Sequence, residues 1–137
     1  MLVLDTSVVV ASLDADERMH TPSRDLIQAT HERIVVPSPI LCEIDYLIHR
    51  KFGAAVMPAF LRRVRAGEFD VEEIEPGDLG RTIELMERYA DLDVGFVDAA
   101  VLAMVERLGE PKLATLDHRH FSVMQPRHVD VLQLLPG

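Results

Sequence analysis

Cysteine is nearly missing from this chain. Cys42 is the only one, which excludes an internal disulfide framework and a cysteine-based zinc site. A reducing, cytoplasmic compartment is the expectation that follows. Tryptophan is absent and aromatics make up only 5% of residues, so aliphatic side chains must fill the core. No apolar run approaches the roughly 20 residues that a membrane span needs. The longest near-continuous stretch, Phe96 to Val105, also carries Asp98. The opening Met1-Leu2-Val3-Leu4-Asp5 has no basic residues ahead of its apolar ones, so it does not read as a secretory signal. Gly/Ser linkers, internal repeats and low-complexity tracts are lacking too. At 137 residues the expectation is a single domain spanning 1–137. Hydrophobic residues at 48% and charged residues at 27% are ordinary globular usage.

Positive charge is also scarce. There are 14 bases against 23 acids, a net charge of −9, which argues against a general nucleic-acid binder. The distribution says more than the sum. Tyr46 to Gly67 holds no acid and five bases: Arg50, Lys51, Arg62, Arg63 and Arg65. Glu68 to Asp93 holds ten acids, with only Arg81 and Arg88 against them. One segment can face phosphates while the other repels them. The plainer reading is two solvated helix faces of opposite sign.

Strand and helix signals alternate along the chain. Leu2 to Leu4 reads as a short buried strand, with a helix starting at Thr6 or Ser7 and fraying at Asp14 to Asp16. A helix from about Pro22 to Glu32 is expected, capped by Thr21. Ile34-Val35-Val36 is a second strand. Helices over about 39–51 and 54–66 end at Gly53 and Gly67. Phe69 to Ile74 suits an edge strand. A helix capped near Asp78 runs to Tyr89, and Asp91 to Gly95 is a loop. Phe96 to Leu108 is a helix ended by Gly109; Lys112 to Leu116 and Val129 to Leu134 are strands. Such alternation implies an α/β fold with a parallel sheet covered on both faces.

Three acids stand out by their surroundings. Asp5 is the only charge in the first thirteen residues, and Asp98 the only charge from Phe96 to Val105. A helix apolar nearly all the way round is buried, and a buried carboxylate needs a partner or a metal. Asp117 follows Leu113-Ala114-Thr115-Leu116 and ends a strand, as Asp5 does. Open parallel sheets bind ligands beyond the carboxyl ends of their strands, so both are aimed at one rim. Glu43, early in the helix after the second strand, is the fourth candidate. Each also has a plain structural reading: helix cap, dipole partner, exposed helix acid or turn residue. Convergence of all four is the stronger pattern. Two carboxylates about 5 Å apart repel by roughly 3 kcal/mol at an effective dielectric of 20, which calls for raised pKa values or a bound hard cation. Oxygen ligands select Mg²⁺ or Mn²⁺ over zinc, and such ions serve phosphate chemistry. His118 and His120 read as exposed loop residues.

These segments resemble those of the PIN-domain family. Met1 to Ser7 resembles the family's opening. Pro39-Ile40-Leu41-Cys42-Glu43, Phe96-Val97-Asp98-Ala99-Ala100 and Ala114-Thr115-Leu116-Asp117 followed by Phe121 resemble its further acidic sites. At this length the chain is most similar to VapC-type toxins of toxin–antitoxin pairs. The resemblance implies an α/β/α sandwich around a parallel sheet of about five strands. It implies an endoribonuclease dependent on Mg²⁺ or Mn²⁺, cleaving RNA with a metal-activated water. Asp5, Glu43, Asp98 and Asp117 would form the pocket, with Thr6 or Ser7, and Thr115, as supporting hydroxyls. A VapB-type antitoxin would occlude the pocket, and a homodimer, or a larger assembly with antitoxin, is expected. Arg50, Lys51, Arg62, Arg63 and Arg65 would position RNA backbone. Asp93 is an extra acid nearby. Two rivals are a receiver-type signalling domain, which needs a rim lysine, and a PIN-like binding module without catalysis.

Overall fold

A computed structural model describes residues 1–137. Five short strands form: β1 (Leu2–Val3), β2 (Ile34–Pro37), β3 (Asp70–Glu72), β4 (Lys112–Ala114) and β5 (Gln133–Leu135). Seven helices connect and follow them: α1 (Thr6–Leu13), α2 (His20–Ala29), α3 (Ser38–Phe52), α4 (Val56–Arg65), α5 (Pro76–Arg88), α6 (Phe96–Leu108) and α7 (His118–Phe121), with a 3-10 turn at Ala90–Leu92.

Every pairing is parallel. β1 pairs with β2 and β2 with β3; β4 pairs with β5. The expected single sheet is instead a three-stranded ladder and a two-stranded one. One parallel bridge, Leu4 to Ala114, joins them, together with the Asp5 N–H donating to the Ala114 carbonyl at 2.9 Å. The spatial order is therefore β3-β2-β1-β4-β5. The chain leaves β1 toward β2 and β3, then returns to β1's other side with β4. The β1–β4 seam is the topological switch point, where α/β sheets bind ligands. Asp5 and Thr115 stand directly beyond it.

Burial explains the elements. Leu2, Val3, Leu4, Val35, Val36, Leu113 and Ala114 are all essentially inaccessible, as strands covered on both faces must be. Seven consecutive α6 residues, Ala99 to Val105, are buried. That is why this helix is apolar nearly all round. Gly109 closes it at φ 67°, a left-handed conformation that costs glycine little. α3 buries Ile40, Ile44 and Ile48 and packs on α1, α4 and α6, while α5 packs on α6.

Several boundaries differ from those expected. α2 begins at His20 with Met19 at its N-cap position, so Thr21 lies inside the helix. Asp78 sits in the first turn of α5 and accepts from the Glu75 N–H at 2.8 Å, while Glu75 holds the cap position. β5 begins at Gln133. Residues 118–121, expected as loop, form the short α7.

Candidate metal-binding active site

Asp5 follows β1 at the N-cap position of α1, yet its side chain makes no capping bond. Instead it turns into the seam. The residue is 3% exposed. Its Oδ2 accepts from Thr115 Oγ1 at 2.8 Å and from Ser7 Oγ at 3.3 Å. The two hydroxyls lie 3.3 Å apart. Each is held from behind: the Leu116 N–H donates to Ser7 Oγ at 2.9 Å and the Asp117 N–H to Thr115 Oγ1 at 3.0 Å. This cradle fixes one carboxylate oxygen. The other, Oδ1, is buried with no hydrogen-bond partner. The Thr6 hydroxyl is likewise buried and unpartnered, so of the two hydroxyls expected beside Asp5, Ser7 is the one that touches it.

Asp98 lies in the first turn of α6 and Asp117 at the N-cap of α7, where its Oδ1 accepts from the His120 N–H at 3.1 Å. The two carboxylates converge on one atom. His120 Nδ1 is 2.9 Å from Asp117 Oδ2 and 3.1 Å from Asp98 Oδ2. Its other ring nitrogen faces the Leu92 carbonyl at 3.3 Å. Ligand atoms of Asp98, Asp117 and His120 all lie within 4.8 Å of one another. Glu43 is on α3, half-buried, and near enough that its charge raises both Asp5 and Asp98. Asp93 takes a left-handed backbone at φ 55° and is exposed; it turns the chain into α6 and does not join the cluster.

Electrostatics follow the crowding. Burial, opposed by the hydroxyls and aided by Glu43, pushes the Asp5 carboxyl up to about 6. Burial first, then the charges of Asp5, Asp117 and Glu43, pushes Asp98 to about 7. Asp117 goes the other way: burial raises it, but the bonds from His120 outweigh that and hold it below the usual range. The His120 imidazole is raised by its bond to Asp117 and by both neighbouring carboxylates. Such a site favours a positive guest.

The basic segment does not join this rim. Lys51 donates to Asp14 at 2.6 Å. Asp14 lies at the far end of α1, roughly 13 Å along the helix axis from Asp5 at 1.5 Å per residue. Arg63 makes a two-pronged pair with Glu68 at 2.7 and 2.8 Å and lines a cleft with Ser12 and Arg24. Both carry acidic partners, so the charge expected of Lys51 and Arg63 toward RNA backbone is already paired within the chain. Arg50, Arg62 and Arg65 are exposed in the last turns of α3 and α4.

The residue that sequence reasoning missed is His120. Its signal was the three-residue step from Asp117, which aligns two side chains only if the intervening residues are helical. A helix of four residues carries too little periodicity to be read.

The fold and this acidic seam define a class. The PIN domain family matches over residues 2–125, and the chain belongs to that family. Ribonuclease VapC26 of Mycobacterium tuberculosis (strain ATCC 25618 / H37Rv) is 28% identical over 125 residues, 91% of this chain and 93% of that protein. Among solved structures, Mycobacterium tuberculosis VapC20, described as a Sarcin-Ricin loop cleaving toxin, superposes with a TM-score of 0.82 at 20% identity, covering 95% of this chain and 99% of that one. A DNA-bound VapBC from Salmonella typhimurium superposes with a TM-score of 0.71 at 15% identity, covering 97% and 95%.

Proposed function

We propose that this chain is a VapC-type endoribonuclease that hydrolyses RNA phosphodiesters at the pocket of Asp5, Glu43, Asp98 and Asp117 with Mg²⁺ or Mn²⁺. The observation that carries this is the unpartnered, buried Asp5 Oδ1 beside three further carboxylates, two of the four titrating near neutrality. An oxygen donor set of this kind fits a hard divalent cation. Such an ion, when bound, acidifies water and neutralises charge developing on a phosphodiester. Asp5, Asp98 and Asp117 would hold it, with Glu43 at its edge.

The chain's own residues prepare that site. Ser7 and Thr115 fix the Asp5 carboxylate in one orientation. Rigid α6 presents Asp98 from within the core. Glu43, half-exposed and unpaired, would bind the ion through water or orient the attacking water. A receiver-type domain would need a lysine at this rim. The only lysines are Lys51 and Lys112; Lys51 pairs with Asp14 and Lys112 with Glu32 and Glu110, at the opposite end.

The acidic pocket also suits a VapB-type antitoxin that inserts a basic side chain, Arg above all for its bidentate pairing with carboxylates. The Ile40, Ile44 and Ile48 face of α3 is buried in the core and offers such a peptide no groove. The apolar side chains left to such a peptide are Tyr46, Leu47 and Leu61, exposed by 40–60%. A homodimer and a cytoplasmic site of action complete the proposal. The test is cleavage of total cellular RNA by metal-free protein titrated with Mg²⁺ or Mn²⁺. Cleavage that depends on added metal and is lost in Asp98→Asn supports the reading. RNA binding without metal-dependent cleavage makes the chain a binding module instead.

A further inference from the structure

We propose that His120 is a nitrogen ligand of the catalytic cation, and that it shifts the site's preference from Mg²⁺ toward Mn²⁺. The inference rests on the carboxylate pocket proposed above and goes beyond it.

Three observations carry it. First, distance. His120 Nδ1 stands 2.9 Å from Asp117 Oδ2 and 3.1 Å from Asp98 Oδ2. Adjacent ligands in an octahedral shell with bonds of about 2.1 Å lie about 3 Å apart. The two edges that meet at Nδ1 thus already have the spacing of adjacent ligands, and all three ligand atoms lie within 4.8 Å of one another. Second, orientation. His120 Nε2 faces the Leu92 carbonyl at 3.3 Å, an acceptor, so Nε2 carries a hydrogen. Ligating histidines commonly donate their second ring N–H to a carbonyl, which fixes the tautomer. Nδ1 faces both carboxylates and donates to them when the ring is protonated; a divalent cation entering there would displace that proton and meet the Nδ1 lone pair. Third, the remaining donor. Asp5 is 3% exposed, its Oδ1 is buried without a partner, and its charge acts on Asp98.

The consequence concerns ion choice. Mg²⁺ prefers oxygen and water and rarely takes nitrogen, whereas imidazole raises affinity for first-row transition ions. A pocket of carboxylates alone discriminates weakly between Mg²⁺ and Mn²⁺. One imidazole added to it separates them.

The experiment is Mn²⁺ titration into the metal-free full chain, followed by pulsed electron paramagnetic resonance and by thermal melts. The wild type is expected to show ¹⁴N modulation from one imidazole, changing to the ¹⁵N pattern when histidine is ¹⁵N-labelled. His120→Gln should remove the modulation and weaken Mn²⁺ by about tenfold or more, with a much smaller change for Mg²⁺. His118→Gln, altering an exposed neighbour, should leave both unchanged. Wild-type Mn²⁺ complex without nitrogen modulation overturns the proposal, and so does modulation that survives His120→Gln. Labelled wild type decides the nitrogen question even if the variant does not fold. Mn²⁺ binding that survives Asp98→Asn would instead overturn the carboxylate pocket itself, so the two failures are distinct.

Discussion

The two ends of the sheet treat charge in opposite ways. At the amino ends of β1 to β4 the strong charges are paired. The Met1 ammonium meets Glu32 at 3.1 Å and Glu110 at 3.6 Å. Lys112 meets the same two acids at 2.9 and 3.1 Å, and Arg33 meets Asp70 at 2.7 Å. At the carboxyl ends Asp98 and Asp117 share one imidazole, His120, and Asp5 and Glu43 have no basic partner. Under the proposed function, the same residue types are structural at one end and chemical at the other. What separates them is the count of opposite charges within reach. Glu32, bonded to Lys112 and to the Met1 ammonium, is held below the usual carboxylate range, while the crowded, buried Asp5 and Asp98 are driven up.

The largest break of this contrast is at the carboxyl end. Asp5→Asn and Asp98→Asn are each expected to lower RNA cleavage by two to three orders of magnitude or more, of the order seen when one preorganised charge-stabilising group is lost. Metal-free stability should hold or rise, because removing one charge relieves repulsion. A urea melt showing a loss of about 2 kcal/mol in either variant would mark that acid as a structural group.

The converse applies at the amino end. Glu110→Gln weakens the pairing of both the Met1 ammonium and Lys112. It should cost about 1–3 kcal/mol while cleavage per folded molecule stays within about twofold. A cleavage loss matching that of Asp98→Asn would erase the distinction between the ends.

Divalent metal should stabilise the wild type by roughly 1.4 kcal/mol at ten times its Kd. Asp5→Asn/Asp98→Asn should show no such gain; an equal rise in both proteins would place the ion elsewhere.

The pH dependence follows from the same contrast. Folded Asp5 and Asp98 bind protons more tightly than unfolded ones, with pKa values near 6 and 7 against 3.8. Their contribution to stability is complete below about 4 and is lost as pH climbs through 6 to 7. Acids whose pKa is lowered, such as Glu68 and Asp117, oppose this only once pH falls to the ordinary carboxylate range. Metal-free protein should therefore lose stability from pH 5 to 7, and the double variant should flatten that slope. The smallest effect is expected from Lys51→Ala and Arg63→Ala, which should change cleavage less than about threefold because neither residue reaches the rim.

The sequence carried α6 to the residue, since a helix buried on every side writes itself as an unbroken apolar run closed by glycine. It carried the acids too, because a lone charge in apolar surroundings is conspicuous. It did not carry β5, expected from Val129: Val131 is apolar yet 81% exposed, and strand bounds are set by pairing rather than by hydropathy. Nor did it carry the break between the two ladders, which depends on register across residues 110 positions apart. The role of His120 was invisible for a related reason: its partners come from Asp98 and Leu92, on other elements.

The pocket is a late arrival in the life of the chain. Its acids are spread from residue 5 to residue 117, and the Thr115 N–H is held by the Leu135 carbonyl at 2.8 Å. A ribosome makes Asp5 long before the strand that secures Thr115. Until β5 docks, the hydroxyl that orients Asp5 has no fixed backbone beneath it. Non-local pairing of this kind is also the slow part of folding. The proposed centre is thus assembled only once β5 is in place, so a growing polypeptide carries all its acids before they are brought together.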